Sequence, residues 1–278
     1  ALKMKANPDE YRTALSGKIL GMIFAKNSTR TRVSFEAGII QLGGQGIFLP
    51  SSSSQLGRGE PPSDTGQVLS RYLDFIMIRT FDNREVRELA EASSVPVING
   101  LDDDYHPCQV LADLMTIKEK KGKLKGLQLV YIGDGNNMAH SLMLGGAMAG
   151  MNVRIICPEG YRPKEGIMSS AQEIGEKNGC EIEVTGDLNA VAGADVVYTD
   201  VWASMGQEEE SAKRIKAFAG YQVDVDMMNK ANFDAIFLHC LPAHRGEEVH
   251  ADVIAGRWSV VFDEAENRLH AQKAILAC

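Results

Sequence analysis

The chain has 278 residues, past the size at which one hydrophobic core usually stops growing, which points to two domains. Its composition, 44% hydrophobic and 24% charged, is that of an ordinary globular protein, and a formal charge of −8 excludes a general nucleic-acid or membrane-surface binder. Five scattered cysteines read as reduced cytoplasmic thiols, no CxxC or His/Cys spacing suggests a metal site, and the most apolar stretch, SLMLGGAMAG (141–150), is too short to span a bilayer.

Short β-rich runs alternate with helical patterns, the signature of βαβ units and parallel sheets. Strands are predicted at 18–24 (KILGMIF), 46–49, 75–78 and 95–98, with helices between them at 31–42, 64–73, 84–92 and 107–120. The lysine-rich KEKKGKLKG (118–126) reads as a solvated hinge. The alternation then restarts, with strands at 127–133, 153–157, 181–184, 195–199 and 235–240. Helices are predicted at 138–150, 170–179, 213–220 and 264–277. The fold class is therefore α/β, with two doubly wound parallel-sheet domains at 1–120 and 121–263. Two polar segments break the rhythm, 50–63 (PSSSSQLGRGEPPS) and 202–211 (WASMGQEEES); loops of this kind are binding loops, lids or disorder.

The densest chemistry follows the first strand, in FAKNSTRTRVSFE (24–36). Ser28 can cap the next helix, Thr29 and Thr31 add hydroxyls to its first turn, and the helix N-terminus is a ready anion site. Arg30 adds a planar fork suited to phosphate. A capped helix with surface ion pairs would explain the serine but not so many donors in five residues. A second strand end places Arg79 where open α/β sheets put ligand residues, and DDDYHPCQ (102–109) brings His106 and Gln109 to the start of a further helix.

STRTR followed by SFE, then HPCQ, then HCLP resembles the aspartate/ornithine carbamoyltransferase family over essentially the whole chain. The resemblance implies that Ser28, Thr29, Arg30 and Thr31 bind carbamoyl phosphate, together with Arg79 and the His106, Pro107, Cys108, Gln109 motif. Arg30 and His106 would polarise its carbonyl. Gln55 in SSSSQLG resembles the residue that reaches into a neighbouring subunit's site, which implies a homotrimer or a multiple of trimers. Arg268, on the terminal helix, matches a family arginine that touches carbamoyl phosphate, which implies that 264–278 packs back on the first domain.

The acceptor side is read the same way. YIGDGNNMAHS (131–141) superficially suggests a dinucleotide fingerprint, but Met138 holds the third glycine position. In ornithine-specific members the second Asn, here Asn137, contacts the amino acid. Asp200 alone reads equally as a helix cap or as a partner for an ammonium group. SMG resembles the family's ornithine-binding loop, which implies that Ser204 and Met205 contact ornithine. HCLP resembles the ornithine-type motif, which implies that Cys240 sits beside the δ-amine near Asp200 and that Cys240 and Leu241 touch carbamoyl phosphate. The implied reaction carbamoylates L-ornithine to L-citrulline without metal or cofactor, in arginine biosynthesis rather than breakdown. Aspartate, putrescine or a modified ornithine remain rival acceptors, and a non-enzymatic anion-binding protein is the rival of a different class.

Overall fold

The computed structural model describes residues 1–203 and 210–278. Its strands form two wholly parallel sheets. The first contains β1 (Ile19–Phe24), β2 (Gln45–Pro50), β3 (Phe75–Arg79) and β4 (Val97–Leu101), in the order β2-β1-β3-β4. The second contains β5 (Gln128–Ile132), β6 (Asn152–Ile156), β7 (Ile182–Thr185), β8 (Val196–Thr199) and β9 (Ile236–Leu238), in the order β7-β6-β5-β8-β9. All nine predicted strands are present, so the α/β class read from the alternation holds.

The helices are α1 (Leu2–Ala6), α2 (Thr29–Gln41), α3 (Pro62–Leu69), α4 (Asn83–Ala92), α5 (Pro107–Lys121), α6 (Asn137–Ala149), α7 (Glu165–Asn178), α8 (Ser211–Ala217), α9 (Val225–Lys230), α10 (Ala251–Ile254) and α11 (Val261–Leu276). Helix α2 begins earlier than its apolar period suggests, because Ser28 caps it through a bond from the Thr31 N–H (3.2 Å). Gly150 and Gly179 end α6 and α7 in the left-handed conformation. Short α9 and α10 were not predicted; six and four residues are too few to display a helical period. The polar stretch at 50–63 carries two 3-10 turns, Ser51–Ser53 and Leu56–Arg58, before α3. There Gly57 is obligatory, since a Cβ would lie 2.0 Å from the Ser51 carbonyl oxygen.

The chain divides into two compact units, residues 1–115 with 266–278 and residues 116–265. Both divisions fall inside helices, α5 and α11; the first lies ahead of the lysine-rich segment predicted as a hinge, whose first residues still belong to α5. The last residues of α11 thus belong with the first sheet, where Leu276 joins the core.

Strand alternation builds the core of the first unit. Leu20, Met22 and Phe24 point to one face with Phe35, Ile39 and Met77, while Ile23, Ile76 and Ile78 point to the other with Val86 and Leu89. In the second unit Val130, Ile132, Val197 and Phe237 pack on Met228, Val253, Ile254 and Val261. Phe35 is fully buried against β1 and anchors the helix that begins at Ser28. Phe35→Ala is expected to cost about 3–5 kcal/mol of unfolding free energy, read by urea denaturation.

Candidate active-site residues

In the first unit the carboxyl ends of β1, β3 and β4 are neighbours, because those strands are adjacent in the sheet. The Ala25 N–H bonds the Arg79 carbonyl (2.8 Å) and the Thr80 N–H bonds the Leu101 carbonyl (3.0 Å), so the three strand ends are laced together. The segments carrying Ser28–Thr31, Arg79 and His106–Gln109 leave from this one edge. The buried Lys26 pairs with the exposed Asp103 and covers the Phe81 ring at 4.4 Å. Asp102 shapes the last loop: it accepts from the Asp104 and Tyr105 N–H groups (2.7 Å each) and from Asn83 and Asn99 (2.7 and 2.8 Å).

Arg79 is the last residue of β3 and is buried, as are Thr31, His106, Cys108, Gln109 and Arg268. Arg268 reaches from α11 to Gln109 Oε1 (2.6 Å) and Thr31 Oγ1 (3.2 Å). Burial holds the His106 imidazole well below its ordinary pKa, and the positive charges of Arg268, Arg79 and Arg30 push it the same way. His106 is therefore neutral and has a ring N–H to donate. Cys108 turns its thiol to the Asn99 carbonyl (3.4 Å) in the core, and burial raises its pKa to about 11, so it offers no thiolate. Ser28 and Arg30 are half-buried, while Thr29 and Gln55 are exposed.

In the second unit Asp200 follows β8 and Cys240 follows β9, adjacent strands whose ends bring the two side chains together. The Cys240 thiol donates to Asp200 Oδ1 at 3.0 Å, and Asn136 donates to Oδ2 at 3.4 Å. Asp200 is therefore not the helix cap that the sequence left open. Asn136, unmarked in the sequence reading, caps α6 instead, accepting from the Met138 and Ala139 N–H groups (2.9 and 3.3 Å), and Asn137 is the first helical residue. Gly135 serves this loop and not a dinucleotide: a Cβ there would lie 2.3 Å from the Pro163 nitrogen. Burial raises the Asp134 pKa even though Arg214 pairs with it at 2.6 Å. Ser204 and Met205 lie outside the described residues, as does most of the 202–211 segment.

His239 is the other residue that sequence reasoning passed over. Its Nδ1 accepts the Leu241 N–H (2.9 Å), so the ring proton sits on Nε2 and goes to Glu248 Oε1 (3.1 Å). This bond holds Leu241 in a left-handed conformation (φ 57°), unusual for a branched side chain. The HxxxxxxxxE spacing of 239 and 248 was its only trace in the sequence. Asp200, His239 and Cys240 lie close enough to share a metal ion, but both nitrogens of His239 are already engaged.

The lowered His106 pKa carries a stability consequence. Between the ordinary histidine pKa of about 6.5 and the lower folded value, the unfolded chain takes up a proton that the folded chain refuses. Stability present above pH ~6.5 is therefore lost as pH falls, by up to about 1.4 kcal/mol per pH unit from this group. His106→Gln should show a shallower fall in unfolding free energy between pH 6.5 and 5 in denaturant titrations.

Two domain descriptions match the chain: the carbamoyl-P binding domain of aspartate/ornithine carbamoyltransferase over residues 1–119, and the Asp/Orn binding domain over residues 125–278. An ornithine carbamoyltransferase of Oceanobacillus iheyensis is 64% identical over 263 residues, covering 94% of this chain and 82% of the relative. The structure of ornithine carbamoyltransferase from Pyrococcus furiosus is 53% identical with a TM-score of 0.95, covering 99% of this chain and 88% of that one. That of an anabolic ornithine carbamoyltransferase from Campylobacter jejuni is 42% identical with a TM-score of 0.93, covering 99% and 90%. The chain belongs to the aspartate/ornithine carbamoyltransferase family.

Proposed function

We propose that the chain transfers the carbamoyl group of carbamoyl phosphate to the δ-amine of L-ornithine, giving L-citrulline and phosphate. The observation that carries the donor half is the gathering of Arg30, Arg79 and Arg268 around a neutral, buried His106. Three guanidinium groups that all act on one buried ring call for a multiply charged anion. The Ser28-capped N-terminus of α2, with Thr29, Thr31 and Arg30, takes the phosphate; Arg79 and Gln109 hold the ligand from the neighbouring strand ends. The His106 N–H, with Arg30 and Thr31, stabilises the oxyanion that forms when the carbonyl carbon is attacked.

The acceptor corner has the opposite character. Asp200 and Cys240 present a carboxylate and a thiol in contact, and Arg214, buried nearby, is committed to Asp134. Such a corner receives a cation, and its buried Arg214 is already paired, which favours ornithine over aspartate. Asn137, Ser204 and Met205 complete the amino-acid contacts. The δ-amine, with an ordinary pKa of about 10.4, must shed a proton before it attacks. Asp200 orients it, and Cys240 and the departing phosphate are the two routes for that proton. No step calls for a metal or organic cofactor.

We also read the chain as a cytoplasmic enzyme of arginine biosynthesis, on the HCLPAHRGEEV motif and on five cysteines that form no disulfide. It works as a homotrimer or a multiple of trimers, with the exposed Gln55 of one copy completing a neighbour's site. Among the described residues no helix is long and apolar enough to cross a membrane.

Citrulline formation, run beside aspartate and putrescine as acceptors, tests the reading directly: turnover with ornithine alone is expected, and turnover only with another amine would overturn the acceptor half. Arg30→Ala should weaken carbamoyl phosphate binding about a hundredfold with the circular dichroism spectrum unchanged. Asp200→Asn should lower kcat while carbamoyl phosphate affinity, measured without ornithine, stays as it was.

A further inference from the structure

The bonds that hold Arg268 form a chain whose direction is set by chemistry. A guanidinium only donates, so Gln109 must turn its Oε1 to Arg268, and Thr31 must turn its Oγ1 (2.6 and 3.2 Å). With Oε1 so committed, the Gln109 amide nitrogen faces the other way and donates to Asp113 Oδ1 at 2.8 Å. Asp113 lies one helical turn further along α5, the spacing at which side chains meet. It is fully buried, and Gln109 is nearly so.

We infer that Asp113 is a positioning residue for the anion corner: its oxygen fixes the orientation of the Gln109 amide, which in turn sets Arg268 and the Thr31 hydroxyl. The inference rests on the carbamoyl phosphate reading, since Gln109, Arg268 and Thr31 are assigned to that ligand. An amide has two faces of nearly equal shape and opposite polarity. Arg268 and Asp113 favour the same amide orientation from its two ends; without the acceptor at 113 one of these two constraints is lost, and an amide that flips turns its –NH2 on the Arg268 donors and displaces them. Because Thr31 Oγ1 accepts from Arg268, its own O–H proton is directed elsewhere at the start of α2. Displacing Arg268 removes that constraint too. The role of Asp113 is thus to secure, from the far end of the Gln109 amide, the orientation that Arg268 needs.

The test is carbamoyl phosphate binding by titration calorimetry at low temperature, on the whole chain without ornithine. It compares the unsubstituted protein with Asp113→Leu, which removes the acceptor, and Asp113→Asn, which keeps an acceptor oxygen. Asp113→Leu is expected to raise Kd about tenfold and Asp113→Asn about threefold or less. In an Arg268→Lys background, where one ammonium replaces the two-pronged donor, the Asp113→Leu effect should shrink to within error. A folded Asp113→Leu protein with unchanged Kd, or an effect that adds in full to that of Arg268→Lys, overturns the inference. If Asp113→Leu does not fold, Asp113→Ala takes its place under the same two criteria. An unsubstituted chain that fails to bind carbamoyl phosphate overturns the reading of the site itself, an outcome distinct from equal binding by parent and variant.

Discussion

The local structure of the first unit depends on holding three arginines close together. Guanidinium groups repel one another, and moving them out of water costs several kcal/mol each unless acceptors are fixed around them. The chain meets this by spreading the three over separate elements, the start of α2, the end of β3 and the middle of α11. Each arrives from a rigid support, and Arg79 and Arg268 are buried while Arg30 is half-exposed. The one histidine among them stays neutral, which spares the cluster a fourth charge and leaves an N–H donor in its midst. Donors gathered in this way suit a multiply charged anion.

Parallel topology is what makes the gathering possible. In a parallel sheet every strand ends on the same edge, so consecutive βα corners converge even when their residues are far apart in sequence. Phe24 pairs in register with Arg79, which sets the STRTR segment beside the β3 end. The same logic places Asp200 and Cys240 together in the second unit, 40 residues apart along the chain. Elsewhere the loops are tied by carboxylates to backbone N–H groups, as Asp102 does for the residues before His106. These bonds fix side chains that the sheet alone would leave to wander.

Much of this was legible in the sequence, for identifiable reasons. The strands showed because β-rich runs stand out between helical patterns, and α2 showed because Ser28 reads as a cap ahead of such a pattern. Arg30, Arg79 and His106 could be named because they sit at strand ends, where position alone implies an edge. Asp113, Asn136, His239 and Glu248 could not. Their roles lie in side-chain direction and hydrogen-bond polarity, which depend on three-dimensional neighbours and leave no period in the sequence. The unit boundaries were obscured for a related reason: they lie within continuous helices, where composition does not change, while the lysine run that looked like a linker begins as helix.

The two units solve opposite electrostatic problems with the same scaffold. One gathers cations at its strand ends, the character that the proposed carbamoyl phosphate site requires. The other sets Asp200 against a thiol and spends its buried Arg214 on Asp134, leaving a corner of acidic character for an amine. A net charge of −8 fits this division, since the positive groups that matter are inside and need no basic surface to support them. Specificity for the acceptor then follows from what each corner would have to leave unpaired. A second substrate carboxylate at Asp200 would bring two anions together out of water, whereas an ammonium completes the set. Discrimination of this kind comes chiefly from the unfavourable contact with the wrong substrate, and it requires Asp200 to be held in place before any ligand arrives, which is the service that Asn136 and Cys240 perform.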